Sequence, residues 1–259
     1  DHHSHETPWM WQAQVLTKQT EVFYYPKDFP QTAMTDQDVR FIEPRTGKKQ
    51  HPTYTIDPDN EHFSQEMQAQ PGAAYHYTAP IPLAEDADRY QVAKMLKASL
   101  IGFHRDYPPA EQTDLLEGFI QRYNLEKSLK INDLHHQMQA FFQALEQHFT
   151  IQTIHRKYPV RYFHQGRLFE RILDFIIEIG HNEVIVIQNS GFAGDANKLK
   201  NKTLELSSFF YLSQLAVQDI FQVAQVRTFA NFVLHSTLQE VAIRTLAPAS
   251  GGTEQLELF

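Results

Sequence analysis

The chain has 259 residues, 42% of them hydrophobic, which is enough for one large domain or for a domain with an appendage. It has no cysteine, so disulfides and thiolate metal sites are excluded, and the composition suits a reducing compartment such as the cytoplasm. A net charge of −8 argues against a surface that coats itself in nucleic acid by charge alone, and no apolar run reaches the length of a membrane span.

Residues 9–80 are β-prone and rich in proline. Strand-like runs at 15–25, 38–43 and 53–56 are broken by Pro26, Pro30 and Pro44, and the last two flank a hairpin whose tip carries Lys48 and Lys49. Residues 57–84, with Asp-Pro-Asp-Asn, Gln-Pro-Gly and Ala-Pro-Ile-Pro, read as a linker.

From Glu85 the period changes to that of helices. Tyr90, Ala93, Leu96, Leu100 and Ile101 mark a first helix, which Pro108 and Pro109 are expected to end. Leu115, Leu116, Phe119, Ile120 and Tyr123 mark a second; Leu134, Met138, Phe141, Leu145 and Phe149 mark a third. Strands follow at 160–164, 168–178 and 184–188, then a helix at 204–223, a strand at 227–235 and a short strand at 239–244. Residues 247–252 form a Pro/Ser/Gly tail. Helices, three strands, a helix and a further strand make an α/β layered arrangement.

Two strings organise this order: Gly-Arg-Leu-Phe-Glu-Arg-Ile-Leu-Asp-Phe-Ile-Ile-Glu at 166–178 and Glu-Val-Ile-Val-Ile-Gln-Asn-Ser-Gly at 183–191. The pair resembles the catalytic hairpin of RecB-like nucleases of the PD-(D/E)XK superfamily, found at the C-termini of UvrD/AddA-type helicases. In that family an early helix carries Gly-Thr-x-x-His, one strand Gly-x-Ile-Asp, the next Asp-Tyr-Lys-Thr, and a following helix Gln-x-x-x-Tyr. Here Ala-Ser-Leu-Ile-Gly ends at Gly102 where the histidine is expected. Asp174 matches the strand aspartate, Gln188 and Ser190 stand where the second acid and the lysine belong, and Gln214 keeps the helix glutamine, with Gln218 in the tyrosine position. The resemblance implies a PD-(D/E)XK nuclease-like mixed sheet flanked by helices.

Such nucleases hold Mg²⁺ with clustered carboxylates, and a lysine beside the metal offsets developing charge. Only Asp174 survives of that set; Gln188 is neutral, Ser190 has no positive charge and Gly102 has no side chain. The site is expected to be vestigial, with no cofactor. The alternative is an active Mg²⁺-dependent nuclease with displaced ligands. His104 follows the expected histidine by two residues, a rotation of about 200° round a helix, and Lys198 or Lys200 would serve as a migrated lysine. Glu178 would be the second acid, but it lies about 13 Å along the strand from Asp174.

The chain ends in Gln255-Leu256-Glu257-Leu258-Phe259, which resembles the bacterial sliding-clamp-binding motif Gln-Leu-(Ser/Asp)-Leu-Phe. The resemblance implies that Leu258 and Phe259 fill an apolar pocket, Leu256 packs beside it and Gln255 sets register. The expected organisation is a β-rich segment and linker at 1–84, an inactive nuclease-like domain at 85–246 and a clamp-binding tail at 247–259. The expected role is a non-catalytic domain of a DNA repair or recombination helicase–nuclease system. It would scaffold DNA or a partner subunit and be recruited to the clamp. A stand-alone protein-interaction module is the further alternative.

Overall fold

Helix formation in the first half follows from capping and from apolar stripes. Helix α1 (Arg89–Gly102) starts at Asp88, whose carboxylate accepts the free N–H groups of Tyr90 and Gln91 at 2.9 and 3.2 Å. It ends at Gly102, well before the two prolines, because Phe103 turns to extended backbone and buries its ring completely. Pro109 instead opens helix α2 (Pro109–Arg122), where its missing N–H costs nothing. Helix α3 (Ile131–His148) buries Leu134, Met138, Phe141, Phe142 and Leu145 along one stripe. The structure, a computed structural model, describes residues 55–180 and 182–246. The tail at 247–259, and with it the clamp-binding string, lies outside the described residues, as do the strands and basic hairpin read at 15–54.

The strands are β1 (Met67–His76), β2 (Ile151–His164), β3 (Arg167–Ile179), β4 (Glu183–Ser190), β5 (Gln225–Phe232) and β6 (Thr237–Thr245). They form one six-stranded open sheet in the order β1-β6-β5-β4-β3-β2. Only β4 and β5 are parallel; the other neighbours are antiparallel. A parallel pair needs a crossover, supplied by α4 (Leu199–Glu205) and α5 (Ser207–Phe221). The single helix expected at 204–223 is therefore two, broken at Leu206. Helices α1–α3 cover one face of the sheet through Phe141, Phe142, Phe175, Ile177, Ile185, Ile187 and Phe229. Helices α4 and α5 cover the other through Leu173, Ile176, Val184, Val186, Phe210 and Ala230. The molecule is thus mixed α/β, with helices on both faces. No helix among the described residues is long and apolar enough to cross a membrane.

Two departures from the sequence reading have a common cause, which is edge position. Strand β1 lies within the stretch read as a linker. Its Pro71 and Gly72 look like turn residues, but they sit where the register with β6 shifts between Pro71 and Ala74, as an edge strand permits. Strand β2 begins at Ile151, nine residues before the expected 160. It forms the opposite edge of the sheet, where polar residues such as those of its first half are tolerated. The chain before β1 is also tied down: Ile56 N–H donates to Leu168 O at 2.8 Å, and Arg167 grips Glu61 with two bonds of 2.6 and 2.7 Å.

Candidate functional site

Turn chemistry sets the first link of the site. Gln165 and Gly166 connect β2 to β3 with φ of +51° and +76°, the two positive values that a tight hairpin with native twist requires. That turn places His164 opposite Arg167, and further in, Lys157 and Asp174 lie between the paired rungs Tyr158–Leu173 and Arg156–Phe175. Residues two apart on a strand normally share a face. Here Leu173 belongs to the cluster beneath α5, and Phe175 to the cluster beneath α1–α3. On β2, Arg156 lies 4.9 and 5.5 Å over the rings of Phe142 and Phe175, while Tyr158 packs on the opposite cluster. Both strands exchange faces at one rung. Lys157 carries that exchange with φ of +50°, a left-handed backbone that costs a non-glycine residue about 1–2 kcal/mol.

The second link is a fork in the sheet. Strands β3 and β4 pair from Ile179 opposite Glu183 to Phe175 opposite Ile187, and then stop. Beyond that rung β4 runs on beside β5 as far as Ser190, and β3 stays with β2. Side chains replace the missing ladder. Asp174 N–H donates to Gln188 Oε1 at 3.3 Å, and Asn189 N–H donates to Asp174 Oδ2 at 2.8 Å. The other carboxylate oxygen, Oδ1, accepts from Lys157 Nζ at 2.6 Å. Asp174 is 1% exposed, whereas the Lys157 side chain is 55% exposed. A buried carboxylate is therefore neutralised by an amine that reaches it from the surface, as a buried charge requires.

A polar chain leads inward from this point. Asn231 Nδ2 donates to Asn189 Oδ1 at 2.8 Å, and the Tyr77 hydroxyl donates to Asn231 Oδ1 at 3.2 Å. Burial pushes the Tyr77 phenol well above its ordinary value, so it stays a neutral donor. On the other side, Arg156 Nη1 donates to the carbonyls of Leu100 and Ile101, both at 2.9 Å. Burial pulls its guanidinium down to about 10, which leaves it charged at neutral pH. Arg156 thereby closes the C-terminus of α1, where free carbonyls and the helix dipole favour a cation. It joins that helix end to the residue beside Lys157.

The predicted residues fall as follows. Asp174 and Gln188 meet in the fork, and Ser190 ends β4 with its Oγ accepting the Phe192 N–H at 3.4 Å. Gly102 is the last residue of α1; a Cβ there would stand 3.1 Å from the Phe119 ring. Gln214 lies elsewhere, lining with Gln218, Arg227 and Glu240 a cavity of about 270 Å³ against β5 and β6. Among the described residues it shares no hydrogen bond with Asp174. The displaced ligands do not assemble either. Glu178 holds His155 at 2.6 Å, Lys198 and Lys200 are exposed, and His104 lies beyond the helix, stacked on Tyr107. Lys157 is the residue that sequence reasoning missed. Counting seven rungs from the Gln-Gly turn would have found it.

The donor set does not suit a divalent ion such as Mg²⁺. One carboxylate has both oxygens taken, one of them by a cation, and the neighbouring amide oxygen is engaged by Asp174 N–H. Among the described residues no group of three or more His, Asp or Glu side chains is placed to hold a metal. The site is thus an ion pair between a buried carboxylate and a half-exposed lysine, at a sheet fork within a mixed α/β domain. Comparison with protein-family models and with curated proteins finds no match to the chain.

Proposed function

We propose that this chain is a catalytically silent relative of the PD-(D/E)XK nuclease domains, kept as a scaffold in a helicase–nuclease system acting on DNA. The single observation that carries this reading is the meeting of Asp174 and Gln188 where β3 and β4 part. A strand carrying an acid, an adjacent strand bearing the second motif and a following helix are the parts the resemblance calls for. Silence follows from the chemistry of the donors, since one neutralised carboxylate neither activates water nor stabilises a departing oxyanion.

The surface supports contact with a protein partner more than a grip on DNA by this domain itself. Three cations of the β2–β3 hairpin are matched by acids: Arg161 with Glu170 at 2.6 Å, Arg171 with Asp57 at 3.3 Å and Arg167 with Glu61 at 2.6 Å. Paired charges leave little to attract phosphates. Recruitment to the sliding clamp would fall to Gln255, Leu256, Leu258 and Phe259. The alternative, an active nuclease with displaced ligands, draws its support from the ammonium of Lys157 beside Asp174.

Two assays separate these readings. Incubation of the chain with single- and double-stranded DNA in Mg²⁺ or Mn²⁺ is expected to give no cleavage; cleavage abolished by Asp174→Ala would establish the alternative. Binding to purified clamp is expected to be lost when residues 255–259 are removed, and equal binding by the shortened chain removes the tail from the proposal.

A further inference from the structure

We infer that Asp174 is a cation position held shut by the chain's own lysine, so that Lys157 supplies from within the charge that a dissolved divalent ion would otherwise bring. This rests on the reading of Asp174 as the remaining acid of a nuclease-like site. Three observations carry it. The carboxylate is almost wholly buried, yet its Oδ1 faces a half-exposed ammonium at 2.6 Å, so the balancing charge arrives from the solvent side. Lys157 holds a left-handed backbone in mid-strand, at the rung where both strands change faces. No side chain needs that conformation for its own sake, and it persists because the contact with Asp174 and the fixed rungs at Arg156 and Tyr158 surround it. Finally, the oxygen of Gln188 is already turned to the Asp174 amide, so a second acid at that position would stand beside the first.

A lysine and a divalent ion at the same carboxylate oxygen repel each other. The domain is therefore built to refuse the ion, and its fold does not depend on divalent metal. Removal of the ammonium should expose the latent site, most clearly where Gln188 has been made acidic.

The test is a Mn²⁺ titration followed by electron paramagnetic resonance on the full chain, with native folding checked by circular dichroism. Wild type and Gln188→Glu are expected to bind Mn²⁺ weakly or not at all through this site. The double variant Lys157→Met/Gln188→Glu should bind at least about tenfold more tightly than Gln188→Glu, and Asp174→Asn should abolish the gain. Equal affinity of the single and double variants overturns the inference, and so does wild-type binding that Asp174→Asn removes. If the double variant fails to fold in chelator, recovery of its melting transition on addition of Mn²⁺ supports the inference, and no recovery overturns it. DNA cleavage is not read in this experiment. The silent-scaffold reading therefore fails on the cleavage assay, and the lysine inference fails on ion affinity.

Discussion

Asp174 ends a chain of polar groups that runs through Asn189 and Asn231 to Tyr77, each hydrogen-bonded to the next. Removal of the Tyr77 hydroxyl leaves Asn231 Oδ1 without that donor in a place water does not reach. Tyr77→Phe is therefore expected to cost about 1–3 kcal/mol, measured by urea unfolding of the full chain. At the surface, Glu61 illustrates pH dependence. Its two bonds from Arg167 hold the carboxyl below its ordinary 4.5, so the folded state favours the ionised form. That contribution to stability is present above about pH 4.5 and is lost as the pH falls through the lower folded value. In Arg167→Gln the stability is expected to fall less steeply in acid, as read from melting temperatures between neutral pH and pH about 3. An unchanged slope would show that another carboxylate dominates the acid limb.

The elements depend on a few local devices whose removal has a calculable cost. Gly166 holds φ of +76° in the β2–β3 turn, so Gly166→Ala should lose about 1 kcal/mol. That value is small enough that the hairpin register, and with it the Lys157–Asp174 rung, survives. Asp88→Ala removes two acceptor bonds from the start of α1, again for about 1 kcal/mol. A core change is larger: Phe175→Ala empties the space between Phe141, Phe142 and Arg156 and should cost about 3–5 kcal/mol. Denaturant melts of the three variants give this order directly, and a Gly166→Ala protein as damaged as Phe175→Ala would mean that the turn dictates the whole sheet. The helices were legible because their apolar stripes repeat over four or five turns. Strand β1 was not, because Pro71 and Gly72 carry the signature of a linker and only pairing with β6 makes them part of a strand.

For the molecule as a whole, the consequence is a domain whose candidate site is closed by its own charges, while Arg161, Arg167 and Arg171 of the β2–β3 hairpin are matched by acids. The role proposed for it is attachment, and the clamp-binding and cleavage measurements bear on that proposal independently. Asp174→Ala is expected to leave any DNA-related assembly intact while weakening the fold by about 1–3 kcal/mol, because the Asn189 N–H then loses its acceptor. A wild-type fold whose melting temperature rises in Mg²⁺ would contradict that picture.

Composition, periodicity and turn residues by themselves determined the α/β class and the order of three helices followed by strands, since these are written in residues close together along the chain; Asp174 and Gln188 became candidates through the resemblance to nuclease motifs. Tertiary structure alone decided three other matters. It made β1 an edge strand, it parted β3 from β4 at Asp174, and it brought Lys157 against the carboxylate. The reason is physical: the worth of a charge depends on what stands across the rung from it, and a partner seventeen residues away, on another strand, leaves no mark on local pattern. The separation of Gln214 from Asp174 has the same origin, because a helix that crosses the sheet can be placed over β5 and β6 without any change in its own periodicity.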